Sequence, residues 1–241
     1  MKTTNNKILI TGGASGIGLG LTKRFIEEGN TVIAIGRRKN ILDELSNEFP
    51  AVITKICDLS SAPEREKLFQ WISAEHSDLN VLVNNAGIQQ WMSVEDDDFY
   101  ARAEVEIATN IEAPVHLASL FVKLKSLDTI INVTSGLSFV PLTKAPVYSA
   151  TKAFFHSFTI SLRHTLKAKG IEVIEIIPPA INTDLGGKGL HDFAPPVSEF
   201  IEGIFAQLKE GKDELTFGMS EKMSSGDRAE IDKIFKMINP E

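Results

Sequence analysis

A glycine-rich segment that directly follows a short apolar run is the feature that most constrains the fold of this chain. The run 7–11 (KILIT) has the pattern of a strand buried on both faces. Gly12, Gly16 and Gly18 follow in the spacing G-x-x-x-G-x-G, and apolar residues in helical spacing come next. A pyrophosphate binds backbone N–H groups at the positive end of a helix, and only glycine lets the backbone approach closely enough. The segment predicts a dinucleotide site, with a tight turn as the alternative for the glycines taken alone.

Further apolar runs alternate with helical patterns along the chain. The predicted strands after the first are 31–35, 51–56, 79–83, 129–133, 172–177 and 214–217. The predicted helices include 62–76, 94–107, a segment from 110 onward, 148–169, 197–208 and 227–238. Such alternation requires parallel strands whose carboxyl ends line one crevice. We predict an α/β fold with a doubly wound, mostly parallel seven-stranded sheet and helices on both faces, a Rossmann fold, with residues 1–241 as one domain.

The segment 184–198 differs in composition from the predicted helices and strands. It is rich in Gly, His, Asp and Pro and has little periodicity, which at the carboxyl end of a strand predicts a lid. We expect residues 185–196, together with Gln89, Gln90 and Trp91, to shape a substrate pocket.

Composition and charge exclude several functional classes. The 241 residues carry a formal charge of -7, and the basic residues are dispersed, unlike those of a nucleic-acid-binding protein. The single cysteine, Cys57, cannot form an internal disulfide and is interpreted as a small buried residue. Apolar segments are shorter than the roughly 18 residues of a membrane span or the apolar part of a secretory signal. We expect a cytoplasmic protein that binds neither nucleic acid nor membrane.

Three polar residues in the second half of the chain suggest acid/base chemistry. Tyr148 precedes Lys152 by four residues, about one helical turn, so both side chains share a helix face. A neighbouring cation stabilises a phenolate and brings its pKa of about 10 towards the working range. Ser135 would offer its hydroxyl to a substrate oxygen. A chance pair on an amphipathic helix is the alternative for Tyr-x-x-x-Lys alone.

The end of the second predicted strand predicts which nucleotide is bound. The sequence there is Gly36-Arg37-Arg38, with no acidic residue. In a dinucleotide fold, a carboxylate at this turn bonds a free ribose 2′-OH, whereas an arginine accommodates a 2′-phosphate. Because Arg37 can pair bidentately with a phosphate, we predict NADP(H) in preference to NAD(H). Two solvated arginines at a helix start are the alternative.

Polar residues near other strand ends and on two helices are further candidates. Asp58 could accept from an adenine amino group or form a local turn. The small residues of 84–87 (Asn-Asn-Ala-Gly) would let the chain pass closely beside a cofactor. Asn110 lies near a helix start or kink, where its carbonyl could hold a water or its side chain could cap the helix. His156, two turns beyond Tyr148, is interpreted as a surface or interface residue.

These motifs together resemble the short-chain dehydrogenase/reductase family, in its compact single-domain branch, over essentially the whole length. The five motifs that fall in the family's order are Thr11-Gly12-(x3)-Gly16-Ile17-Gly18, Asp58-Leu59, Asn84-Asn85-Ala86-Gly87, Ser135 with Tyr148-x-x-x-Lys152, and the exit from Pro178 to Thr183. Within the family the chain looks like the bacterial oxidoreductases associated with the D-alanyl-lipoteichoic acid operon. It departs from the family at Pro179, where a glycine is usual.

The resemblance implies an NADP(H)-dependent oxidoreductase that acts on a small carbonyl or alcohol substrate. It makes Tyr148 the general acid/base, Lys152 its partner and a ligand of the nicotinamide ribose, and Ser135 the group that polarises the carbonyl. Asn110 would hold the water of a proton relay. No metal ligand is implied, and the implied cofactor-binding residues are Gly12, Ala14, Ser15, Gly16, Ile17, Gly18, Arg37, Arg38, Asp58, Leu59, Asn85, Ala86, Gly87, Tyr148, Lys152, Ile181 and Thr183.

Two other functions use the same or a related fold. A catalytically silent nucleotide-sensing module would not need Ser135, Tyr148 and Lys152 together. A sugar-nucleotide epimerase or dehydratase would need a larger C-terminal substrate domain and a different glycine spacing. By family likeness we expect a homodimer or homotetramer, in agreement with the broad apolar surface of the Tyr148 helix.

Overall fold

A parallel β-sheet is the centre of the computed structural model, which describes residues 1–240. The strands within these residues are β1 Lys7–Thr11, β2 Thr31–Gly36, β3 Ile53–Ile56, β4 Val81–Asn84, β5 Thr129–Val133, β6 Glu172–Ile177 and β7 Glu214–Thr216. Their order is β3-β2-β1-β4-β5-β6-β7, and every neighbouring pair is parallel. The predicted seven-stranded Rossmann sheet is confirmed. Its order reverses between β1 and β4, the place where open α/β sheets bind ligands.

Helices cover both faces of this sheet. In the described residues they are α1 Gly16–Glu27, α2 Lys39–Glu48, α3 Ala62–Glu75, α4 Phe99–Ile107, α5 Ala113–Phe121, α6 Pro146–Leu166, α7 Val197–Lys209, α8 Met219–Ser225 and α9 Arg228–Ile238. A π-helical turn, Ala108–Glu112, joins α4 to α5, and a 3-10 turn, Gly136–Ser138, follows β5. Across residues 1–240, each helix is too short or too polar to cross a membrane.

Alternation along each strand explains the two cores of the sheet. Leu9 of β1 packs in a cluster with Leu117 and Phe121 of α5, on the side where α3 also lies. Its neighbours Ile8 and Ile10 belong to the cluster on the opposite face, which includes residues of α1 and α7. Because successive strand side chains point to opposite faces, helices on both sides require continuously apolar strands.

Several predicted boundaries differ from the structure for local reasons. β3 begins at Ile53 because the N–H of Val52 closes a turn onto Phe49. β4 begins at Val81, since the N–H of Leu79 bonds the His76 carbonyl instead of a neighbouring strand. The helix predicted over 94–107 begins only at Phe99, after turns in which side chains bond the backbone. The short helix α8 was not predicted, because its seven residues contain too few apolar positions to show a period.

Candidate active site

A cleft of about 1780 Å³ opens at the carboxyl ends of the strands. The loops after β1, β2, β3, β4, β5 and β6 all contribute to its walls. Every residue predicted to bind the cofactor lines this cleft, and so do three of the four predicted catalytic residues. Asn110 lies behind the wall, with its Oδ1 3.4 Å from the point that a Cβ on Gly87 would occupy. The topology thus gathers side chains that are far apart in sequence.

The loop between β1 and α1 forms a cradle that side chains would fill. Gly12 and Gly16 have φ angles of +64° and +53°, in the left-handed region that favours glycine. A Cβ on Gly18 would overlap the carbonyl oxygen of Gly12 and come within 2.5 Å of Asn85 Nδ2. Helix α1 begins at Gly16, and the first N–H groups of a helix have no partner within it. The chemistry of this cradle fits the phosphates of a dinucleotide.

Hydrogen bonds hold the ends of β1 and β4 together beneath the cradle. The Thr11 hydroxyl accepts from the backbone N–H groups of Asn85, at 2.8 Å, and Ala86, at 2.9 Å. Asn85 Nδ2 donates to the Thr11 carbonyl at 2.8 Å. These contacts fix the small residues after β4 beside the glycine loop, as their sequence pattern predicted.

The turn after β2 presents two exposed arginines to the cleft. Arg38 donates to the Ser15 hydroxyl at 3.0 Å, which joins this turn to the glycine loop. Asp58, after β3, accepts from the backbone N–H and the hydroxyl of Ser60, so it forms the local turn that was one of its two interpretations. Burial acts to raise the pKa of Asp58, but the Ser60 hydrogen bonds and the charge of Arg37 outweigh it and lower the pKa. Two arginines and the ionised carboxylate of Asp58 therefore line this end of the cleft.

Ser135, Tyr148 and Lys152 meet at the other end of the cleft, where all three are buried. Lys152 Nζ donates to the Val133 carbonyl at 2.9 Å and lies 5.6 Å from the centroid of the Tyr148 ring. Helix α6 begins two residues before Tyr148, so the predicted four-residue spacing brings phenol and ammonium to one face. The Ser135 hydroxyl accepts from the backbone N–H of Leu137 at 3.1 Å.

Burial governs the titration of the phenol and the ammonium. It raises the pKa of Tyr148, hydrogen bonding with Ser135 partly offsets this rise, and the charge of Glu106 adds to it. Burial also lowers the pKa of Lys152 to about 8, against the opposing charge of Glu175. The expected lowering of the Tyr148 pKa by Lys152 is not found, because burial disfavours the charged forms of both groups.

Asn110 occupies the π-helical turn between α4 and α5. An α-helix would bond the Asn110 carbonyl to the N–H of residue 114, but Pro114 has none, and the helix widens here. The Asn110 side chain accepts from the N–H of Ile88 and donates to its carbonyl, both at 2.9 Å, and also donates to Thr151. The capping alternative is therefore wrong and the kink is correct. Asn110 ties the loop after β4 to α6.

Glu106 is a buried acid near the site that the sequence analysis did not single out. It lies on α4 with no exposed surface, and one carboxyl oxygen accepts from the Gln90 N–H. Its other oxygen, Oε2, has no hydrogen-bond partner among residues 1–240. Gln90, expected to shape the pocket, instead turns its amide to the Arg102 carbonyl of α4. A sequence signal exists, because Glu106 shares a helix face with the buried Ala103 and Asn110.

We expect Glu106→Gln to make stability less sensitive to pH. Burial raises the pKa of Glu106 from 4.5 to about 7. The folded protein then binds more protons than the unfolded chain between these values, so wild-type stability falls as pH rises from about 4.5 to about 7. The variant lacks this loss and should gain roughly 3 kcal/mol relative to wild type between pH 4.5 and pH 8 in urea unfolding. Exposed Glu104→Gln is the control, and an equal gain there would contradict the prediction.

A second buried acid, Glu175, lies on β6 in contact with α6. His156 Nδ1 lies 2.9 Å and 3.0 Å from its two carboxyl oxygens. The His156 side chain is 20% exposed and pairs with Glu175, so it is partly buried and not a free surface residue, and its interpretation as an interface residue stays a prediction. The sequence carried one signal for this pair, an acid at 175 between the apolar residues 173–174 and 176–177 of the strand.

The segment expected to act as a lid contributes residues along one wall of the cleft. Gly186, Gly187 and Gly189 have positive φ angles, which explains its turns and its lack of a helix. His191 and Trp91 line the cleft as expected. The cleft is also lined by Met219, Met223 and residues 237–240, which the sequence did not indicate.

Comparison with known proteins places this geometry in a family. The family model described as short chain dehydrogenase matches residues 6–192. The uncharacterized oxidoreductase DltE of Bacillus subtilis is 43% identical over 99% of this chain and 98% of its own length. Serine 3-dehydrogenase of Agrobacterium fabrum is 31% identical over 73% of this chain and 72% of its own. The NADP-dependent 3-hydroxy acid dehydrogenase YdfG of Escherichia coli K12 is 31% identical over 71% of each chain.

Solved structures agree with this family match. A short chain dehydrogenase from Burkholderia cenocepacia, in complex with NADP, superposes with a TM-score of 0.84 and 28% identity over 98% of this chain and 99% of that chain. A relative from Burkholderia phymatum in complex with NAD shares the fold, with a TM-score of 0.80 and 16% identity over 97% and 96% of the two chains. Both superpositions agree with the seven-stranded fold described above.

Proposed function

Because the chain belongs to the short-chain dehydrogenase family, we propose that this oxidoreductase transfers a hydride between NADP(H) and a carbonyl or alcohol substrate. The observation that carries the proposal is the meeting of Ser135, Tyr148 and Lys152 in the same cleft as the glycine cradle. A nucleotide sensor needs the cradle but has no use for a buried phenol beside a buried ammonium.

In this proposal the protein positions the reactants and moves the proton. A bound nicotinamide supplies or accepts the hydride, which is the chemistry of the cofactor itself. Tyr148 donates its proton to the substrate oxygen during carbonyl reduction and takes it back during alcohol oxidation. Ser135 orients that oxygen, Lys152 holds the nicotinamide ribose, and Asn110 supports a relay water. Residues 12–18 hold the phosphates.

NADP(H) is favoured by the charge at the end of β2. Arg37 and Arg38 line the cleft, and no acid stands at this turn to receive a free ribose hydroxyl. A sequence relative and a solved structure also support NADP(H), since YdfG is named as NADP-dependent and the Burkholderia cenocepacia enzyme was solved in complex with NADP. Their names also make 3-hydroxy acids and serine the first substrates to try.

A paired titration with NADPH and NADH, followed by initial rates on aldehydes, ketones and 3-hydroxy acids, tests the proposal. We expect tighter binding of NADPH and turnover with it. Arg37→Ala should lose about 10- to 100-fold in NADPH affinity, the value of a charge-assisted hydrogen bond, with no change for NADH. Lys39→Ala removes the same charge two residues away, outside the cleft, and serves as the control.

Each other outcome has a defined meaning. Equal binding of the two nucleotides, or an Arg37→Ala variant that keeps its NADPH affinity, would overturn the phosphate-binding role of Arg37. Tight NADPH binding with no turnover on any substrate would favour the sensor.

A further inference from the structure

A fully buried carboxylate lies behind Lys152, and the proposed reaction makes no use of it. Glu175 is in the middle of β6, between Ile174 and Ile176, and has no exposed surface. Burying a carboxylate in an apolar sheet is costly unless charged or hydrogen-bonding groups compensate it. Its Oε1 accepts from the Thr134 hydroxyl at 2.6 Å, and His156 Nδ1 contacts both oxygens.

These two contacts lead to Lys152 along two routes. Thr134 stands at the end of β5 between Val133, whose carbonyl accepts from Lys152 Nζ, and Ser135. His156 lies on α6 one turn after Lys152. Glu175 therefore contacts the strand end that binds the lysine and also the helix that carries it.

We propose that Glu175, together with His156, is a positioning residue that keeps Lys152 protonated and the end of β5 in place beside Tyr148. The inference rests on the proposed function, because a protonated Lys152 matters to the reaction only if Tyr148 and Lys152 act as assigned there. Glu175 touches neither substrate nor nucleotide in this role and acts through Lys152.

The electrostatics of the buried groups agree with this role. Burial lowers the pKa of Lys152 to about 8, and Glu175 is the group that opposes it. Hydrogen bonding with Glu175 raises the pKa of His156, burial opposes that rise, Glu214 of β7 adds to it and Arg163 of α6 reduces it. Without the carboxylate, Lys152 would lose its proton at a lower pH.

Glu175→Gln tests the inference because it removes the charge and keeps an acceptor for Thr134. We expect the titration midpoint of Lys152, followed by NMR of protein labelled at lysine ¹³Cε and assigned by its loss in Lys152→Arg, to fall by about one pH unit or more. The alkaline limb of the pH-rate profile for carbonyl reduction should also move to lower pH.

Glu172→Gln is the matched control, since Glu172 lies on the same strand and pairs with the Met1 amine. An unchanged Lys152 midpoint in Glu175→Gln overturns the inference.

Two features of the design separate this inference from the proposed function. The NMR titration requires no turnover, so it decides the role of Glu175 even if no substrate reacts. If the protein turns over substrate but the titration midpoint of Lys152 does not shift in Glu175→Gln, the inference is overturned and the proposed function stands. Should Glu175→Gln not fold, the wild-type imidazole signal of His156, assigned by its loss in His156→Gln, still decides. If His156 pairs with a charged Glu175, the titration midpoint of the His156 imidazole must lie above about 6.5, and a lower midpoint overturns the inference.

Discussion

Tyr148→Phe is expected to lower kcat by about a thousandfold or more and to leave the affinity for NADPH nearly unchanged. General acid/base groups contribute about 10²- to 10⁴-fold to a rate, and this phenol is the proton donor in the proposed reaction. The variant removes one oxygen from a side chain that is only 6% exposed and keeps the ring that packs in the wall of the cleft. Stopped-flow or steady-state rates at saturating NADPH would measure the loss.

The chain provides a matched control for this substitution. Its other tyrosine, Tyr100, is 72% exposed on α4. Tyr100→Phe removes the same hydroxyl and should turn over like wild type. Wild-type turnover in Tyr148→Phe would refute its role as general acid/base, whereas a lost NADPH affinity would mean that the hydroxyl serves to bind the nucleotide instead.

Gly18→Ala is expected to weaken NADPH binding by about a hundredfold and to destabilise the fold. The added Cβ would overlap the Gly12 carbonyl oxygen and press on Asn85 Nδ2, two groups that define the cradle. Backbone cannot move aside as a side-chain end can, so the methyl displaces the groups that define the cradle. A loss of about 3 kcal/mol of binding free energy corresponds to about a hundredfold in affinity. Isothermal titration with NADPH and thermal unfolding measure the two effects.

Gly29→Ala is the control that separates the effect of backbone strain from the effect of a Cβ placed in the cradle. Gly29, near the other end of α1, has a φ of +80°, and a Cβ there meets nothing within 4 Å. Alanine in this conformation should cost about 1 kcal/mol of stability without affecting NADPH binding. Equal NADPH affinities in the two variants would show that the close approach at Gly18 is not needed for the nucleotide.

The two buried acids illustrate how the proposed site uses charge. Burial raises the pKa of Tyr148 and the charge of Glu106 adds to this rise, whereas the charge of Glu175 opposes the lowering of the Lys152 pKa by burial. Both keep a proton on the group they face, and both lie on buried surfaces where an apolar residue would cost less. Groups that reduce stability in this way are typical of functional sites.

Local pattern was enough to predict the sheet and the cradle. The bounds of β1, β5 and β6 agree with the structure because each is a short, mostly apolar run rich in β-branched residues. The glycine spacing predicted a segment in which only glycine fits, and a Cβ on Gly18 would overlap the Gly12 carbonyl oxygen. This could be predicted because the absence of a Cβ is a property of the residue itself. The single domain, the lid, the homo-oligomer and the roles of the site residues stay predictions.

Only the tertiary structure decided which polar groups are buried and which groups face them. Thr134 and Glu175 are 41 residues apart in sequence, and Gln90 and Glu106 are 16 apart, yet each pair is hydrogen-bonded. No periodicity links such positions, because the topology of the sheet and the turns of the loops bring them together. A pKa depends on burial and on neighbouring charge, so the raised pKa of Tyr148 and the lowered pKa of Lys152 followed from that folded arrangement alone.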